Sequence, residues 1–198
     1  MIAIVDYGAG NLRSVTNALD FLKAKYNVTD KPKDLIAADK IIFPGVGSFG
    51  DCIASLKDKG LFDTLKKETK NKPYLGLCLG LQVLFEGSEE SKGVKGLSIF
   101  KGQCKRFTKL KVPQIGWNSI SLSKKDHILS GIEENSYFYF VHSYYARPQD
   151  KSIILTETDY GIKYCSSISQ GNIFAFQFHP ERSGEVGLSI INNFIKLC

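Results

Sequence analysis

Apolar residues along this chain fall into two textures. Up to about residue 98, short solid apolar runs alternate with stretches where apolar side chains recur every three or four positions. Residues 2–5 (IAIV), the segment around Val28, 40–43 (KIIF) and 74–77 (YLGL) read as buried strands. Leu12, Val15, Leu19 and Leu22 share one helical face, which Asn11 opens as an N-cap. Ile53, Leu56, Leu61 and Leu65 mark a second helical stretch broken at Gly60, and residues 79–85 begin a further helix. Residues 6–10 (DYGAG) and 44–47 (PGVG) are turns. This alternation predicts a parallel sheet covered on both faces. Beyond residue 98 the strand-like segments 99–107, 117–122, 137–141, 152–156, 162–168 and 173–178 follow one another through turns. Helical spacing returns only over 187–197. The pattern predicts one α/β domain spanning 1–198, antiparallel-rich in its second half, with no internal repeat.

Composition changes this little. The 198 residues are enough to bury a substantial core, and 43% hydrophobic with 23% charged residues is ordinary for a soluble globular chain. No run approaches the ~18 apolar residues a membrane span needs. The opening MIAIVDYGAG has no basic region before its apolar residues, so it is not a signal peptide and a cytoplasmic location is expected. The net charge of +6 raises the question of a nucleic-acid partner. Its densest segment, 105–111 (KRFTKLK), interleaves basic residues with Phe107 and Leu110 as a half-solvated strand does, and no nucleic-acid recognition motif accompanies it. Neither nucleic acid nor membrane is expected as a partner.

The candidate chemistry centres on one thiol. Five cysteines, odd in number, widely spaced and without a CxxC pair, indicate neither a disulfide framework nor a zinc site. Most such thiols are small buried hydrophobes. Cys78 differs, because GLCLG (76–80) is the cysteine form of the G-x-S-x-G nucleophile elbow at the strand-to-helix junction that motif requires. The sulfur would project past the strand end, a helix N-terminus would favour its thiolate, and the Leu79 amide would face an oxyanion. A packing cysteine in a glycine-rich turn is the alternative. A base must come from three histidines. His127 lies in a polar stretch, and His142 ends an aromatic run as a core or pocket residue. His179 stands in FQFHPE, where Pro180 can turn Glu181 back against the imidazole and complete a Cys-His-Glu triad. The loop 44–50 (PGVGSFG) offers backbone amides as a second oxyanion wall; it lacks the Lys-Ser/Thr ending of a phosphate loop. No histidine pair has metal-ligand spacing, and no metal or other cofactor is expected.

Together, DYGAGN, PGVGSFGDC, GLCLGLQ, VPQIGWN, FYFVHSYY and QFHPERS resemble the class I (triad) glutamine amidotransferases over essentially the whole chain. PGVG, GWN and VHSYY are most similar to the glutaminase subunits of imidazole glycerol phosphate synthases. The resemblance implies a three-layer, flavodoxin-like α/β fold with a mostly parallel central sheet and antiparallel additions in the C-terminal half. It implies hydrolysis of L-glutamine through a γ-glutamyl thioester on Cys78, with His179 as base and Glu181 orienting it. Gly45, Val46 and Gly47 match an oxyanion strand that must reorient before the hole, shared with Leu79, is complete. Gln82, His142, Ser143 and Tyr144 match positions that hold the α-amino and α-carboxylate groups of glutamine. Asn11 matches a position that steadies the oxyanion strand and, with Trp117 and Arg182, one near the partner interface. The implied partner is a (β/α)8-barrel cyclase subunit, joined as a heterodimer, that receives ammonia for histidine biosynthesis. Gln114–Ile115 stands where the commoner text has His-Met, and relatives that supply ammonia for sugar amidination remain an alternative, as does a stand-alone γ-glutamyl hydrolase.

Overall fold

The structure, a computed structural model, describes residues 1–8 and 11–198; Ala9 and Gly10, in the turn read at 6–10, lie outside the described residues. Four short strands and their helices occupy the first half. These are β1 (Ile2–Val5), α1 (Leu12–Phe21), β2 (Tyr26–Thr29), α2 (Pro32–Ala37), β3 (Lys40–Phe43), α3 (Phe49–Asp58), α4 (Leu61–Glu68) and β4 (Tyr74–Leu77). A single turn of helix follows, α5 (Leu79–Gln82), then β5 (Gly87–Ser88) and β6 (Gly102–Arg106). The strands β7 (Gln114–Ser119), β8 (Ser121–Leu122), β9 (Tyr137–His142), β10 (Tyr144–Pro148), β11 (Ile154–Asp159), β12 (Lys163–Gln170) and β13 (Ile173–Phe176) lead to a closing helix, α6 (Gly184–Leu197).

The main sheet runs β2-β1-β3-β4-β13-β12-β10-β6-β5, with β11 and β8 attached beside β12. Its first five strands are mutually parallel, and the strands from β12 to β6 pair antiparallel. Residue alternation in the parallel strands sorts side chains to opposite faces. Ala3, Val5, Ile41, Phe43, Tyr74 and Ala175 pack with α2, α3 and α4, while Ile2, Ile4, Ile42, Leu75, Phe174 and Phe176 pack with α1 and α6. Both faces being covered explains why these strands read as unbroken apolar runs. β7 and β9 form a separate two-stranded ribbon. Among the described residues no helix is long and apolar enough to cross a membrane.

Several segments differ from the sequence reading. α2 was not anticipated because Leu35 is its one buried residue; Pro32 starts it and Asp34 lies in its first turn. The helix expected over 79–85 is regular only to Gln82, since Leu84 and Phe85 close tighter i→i+3 bonds. The run 117–122 is two strands, and β10 follows β9 after a break at Ser143. The basic segment 105–111 leaves the sheet after Arg106; Phe107 is buried in an aromatic cluster with His142, Tyr145, Tyr160 and Tyr164, and Lys105 pairs with Glu89 at 2.9 Å.

Candidate active site

Three neighbouring parallel strands end side by side. Gly76 of β4 lies in register with Phe43 of β3 and Ala175 of β13, so the segments that follow all emerge at one edge of the sheet. Strand spacing of ~4.8 Å brings the loop 44–47, Cys78 and His179 within side-chain reach of one another.

Cys78 holds φ 51° and ψ −99°, a conformation L side chains rarely adopt. Its N–H donates to Phe176 O at 2.7 Å, and its carbonyl accepts from Leu81 N at 3.0 Å, which fixes the kink from both sides. The flanking glycines follow from crowding. A Cβ on Gly76 would lie 2.5 Å from Gly80 O, and one on Gly80 would lie 2.2 Å from Phe43 O. The glycines let β4, the elbow and β3 close on one another, which aims the sulfur away from the core. With only four residues, α5 adds less field at the sulfur than a full helix would.

His179 and Glu181 are both almost fully buried, and His179 Nδ1 meets Glu181 Oε1 at 2.8 Å. Burial by itself lowers the imidazole pKa; the Cys78 sulfur and then Glu181 push it the other way and win, raising it from 6.5 to about 10. His179 Nε2 is buried and has no hydrogen-bond partner of normal geometry among the described residues, nor does Glu181 Oε2. The imidazole is thus oriented by the carboxylate through one nitrogen and coupled by charge to the thiol, with the other nitrogen uncommitted.

The two oxyanion candidates are engaged elsewhere. The Leu79 N–H donates to Gly45 O at 3.4 Å, and the Val46 N–H donates to the Tyr7 hydroxyl at 3.2 Å. The Gly45 carbonyl therefore occupies the place an oxyanion would take.

A cavity of about 270 Å³ opens beside the sulfur, bordered by Val46, Gly47, Leu79, Gln82, Ser143 and Tyr144. That is just below the ~300–1,000 Å³ typical of small-ligand sites and suits a molecule of amino-acid size. The Gln82 amide nitrogen donates to Tyr144 O at 3.0 Å and to Gln177 Oε1 at 3.2 Å. His142 borders the cavity, but its ring is committed to protein: Nδ1 donates to Tyr144 O at 2.8 Å and Nε2 lies 3.3 Å from the Tyr164 hydroxyl. Burial pushes its pKa down to about 3, so the ring is neutral.

Three further side chains enter the site without having been anticipated. Glu90 borders the cavity while its carboxylate accepts from Phe49 N at 2.7 Å. Gln177 donates to the Cys78 sulfur at 3.5 Å. Tyr7 holds Val46. Gln177 lay in plain view within FQFHPE and Tyr7 within DYGAGN, neither with a role assigned; Glu90 had no local signal, being brought in by chain folding alone. Of the remaining candidates, Asn11 caps α1, its Oδ1 accepting from Ser14 N at 3.4 Å. Trp117 is exposed on the ribbon, and Arg182 stacks over Tyr139 at 4.7 Å. Among the described residues no cluster of His, Cys, Asp and Glu could hold a metal ion.

The family of class-I glutamine amidotransferases matches residues 3–197, and the chain belongs to it. The fold agrees: a glutamine amidotransferase crystal structure superposes with a TM-score of 0.78 at 17% identity, covering 100% of this chain and 98% of that one. PurLQS from Thermotoga maritima gives 0.73 at 19% identity, covering 99% and 97%. Within the class, the chain falls among the glutaminase subunits of imidazole glycerol phosphate synthase. It is 48% identical to subunit HisH of Methanocaldococcus jannaschii over 100% of both chains, and 47% to that of Methanothermobacter thermautotrophicus over 100% and 98%. The HisH of Acinetobacter baylyi is 43% identical over 98% and 97%.

Proposed function

We propose that Cys78, His179 and Glu181 hydrolyse L-glutamine to glutamate and ammonia. The Cys78 thiolate attacks the γ-carboxamide carbon, and the oxyanion is met by the amides of Leu79 and Val46 once the 44–47 strand has turned. The imidazolium of His179 gives its Nε2 proton to the departing nitrogen, ammonia leaves, and a γ-glutamyl thioester remains. Neutral His179 then takes a proton from water, whose oxygen displaces the thiolate to release glutamate. Glu181 holds Nδ1–H and stabilises the imidazolium throughout. Glu90, the carboxylate bordering the cavity, is suited to the substrate's α-ammonium group, and Gln82 with residues 142–144 to its backbone end.

The observation that carries this reading is the buried imidazole of His179, fixed by the equally buried Glu181 carboxylate at 2.8 Å. Glutamate release assayed with and without the partner subunit tests it: Cys78→Ala should lose all activity, and a fully active variant would sink the assignment.

The relatives are named as imidazole glycerol phosphate synthase subunits, which supports delivery of ammonia to a partner synthase subunit rather than to sugar amidination. The family resemblance adds that this partner is a (β/α)8-barrel cyclase and that the pair serves histidine biosynthesis in the cytoplasm. The ribbon supplies a docking face. Ile115, Trp117 and Tyr137 are all more than half exposed on its outer side, next to Arg182, an aromatic and arginine composition typical of interfaces. With Gly45 O in the oxyanion position, the lone chain is expected to be nearly inactive until the partner acts.

A further inference from the structure

We propose that Tyr7 is a positioning residue that holds the Gly45–Val46 peptide with its N–H turned away from Cys78, so that its hydroxyl sets the fraction of chains with a working oxyanion hole. This rests on the reading of the site as a glutaminase and adds a residue that reading does not contain.

The geometry is specific. The Tyr7 hydroxyl donates to Val46 O at 2.8 Å and accepts from Val46 N at 3.2 Å. In a trans peptide the carbonyl and the N–H point in opposite directions. The Gly45–Val46 unit accordingly presents its oxygen to the Leu79 amide at 3.4 Å and its N–H to Tyr7. Tyr7 itself is rigid. It is 2% exposed, its ring stacks on Phe43 at 5.4 Å, and its carbonyl accepts the Ser55 hydroxyl. Burial raises its pKa well above the usual phenol value, so the group stays a neutral hydroxyl with one proton.

That single proton makes Tyr7 selective between the two peptide orientations. In the observed one it satisfies both polar groups of Val46, donating once and accepting once. Turning the peptide would bring Gly45 O toward a hydroxyl whose proton is already given to Val46 O. Two carbonyls would then compete for one hydrogen, and one hydrogen bond is lost. Tyr7 therefore favours the closed hole by the worth of about one buried hydrogen bond, roughly a fivefold bias.

Tyr7→Phe keeps the ring and its stacking while deleting the hydroxyl. Measured without the partner subunit, its glutaminase kcat should rise about fivefold with KM unchanged, while the rate saturated with partner stays near wild type. The activation ratio should fall by the same factor. A basal rate equal to or below wild type, in a variant whose thermal unfolding shows it folded, would overturn the proposal. Failure of the underlying reading has a different signature: wild type with its partner would release no glutamate, or Cys78→Ala would release it.

Discussion

His179 and Glu181, separated by a single proline, meet through one hydrogen bond of 2.8 Å between two almost fully buried side chains. Pro180 opens a short 3₁₀ turn, Arg182 N donates to His179 O at 3.0 Å, and this turn carries the carboxylate back onto the ring. Glu181 is one of the groups raising the imidazole to about 10. Glu181→Gln should therefore move the alkaline fall of kcat/KM to lower pH, and lower kcat on the order of 10²-fold. A pH–rate profile of the partner complex reads both; an unmoved alkaline limb would remove Glu181 from its role.

The two buried histidines should tie stability to pH in opposite senses. His179, raised from 6.5 to about 10, contributes stability that is full below pH 6.5 and lost as pH climbs through 10. His142, lowered to about 3, stays neutral when folded while the unfolded chain takes up a proton; stability falls as pH drops from 6.5 toward 3. Urea unfolding across pH 4–10 should show His142→Gln flattening the acid decline and His179→Gln the alkaline one.

Gly80 has no room for a methyl group, because a Cβ there would sit 2.2 Å from the Phe43 carbonyl. Gly80→Ala should cost about 1–3 kcal/mol of stability and abolish glutamine hydrolysis by opening the elbow. Denaturant titration and the glutamate assay check the two halves separately.

Trp117 is 56% exposed and meets Tyr139 edge-on, ring centroids 6.3 Å apart. Trp117→Ala should leave thermal unfolding unchanged but weaken partner binding at least about tenfold, as loss of a central aromatic anchor does. Calorimetric titration with the cyclase subunit measures it.

The strands that build the site were legible because each is a largely apolar run with a glycine or proline within four residues of its end. The elbow and FHPE were legible because the chemistry of each is local. What escaped was set by distant chain. Pro32 and Asp34 suit a helix start, but the single inward residue of α2 is too sparse for a periodic signal. Tyr7 and Glu90 reach the site from 39 and 41 residues away from the backbone atoms they hold. His142 could be read as a core or a pocket residue, and only packing shows its ring committed to Tyr144 and Tyr164. The turned-away peptide at Gly45–Val46 was implied by the family resemblance alone, since no residue type in PGVG encodes it.

The ribbon of β7 and β9 is one layer of backbone thick. Ile115 and Trp117 face outward from it, while Phe138, Phe140 and His142 face in, and the Val141 carbonyl lies 4.0 Å from the Cys78 sulfur. A protein pressed against the outside is thus separated from the reacting atom by a single sheet of peptide groups. Mechanical displacement of that thin wall arrives at the thiol directly, without having to be relayed through the hydrophobic interior.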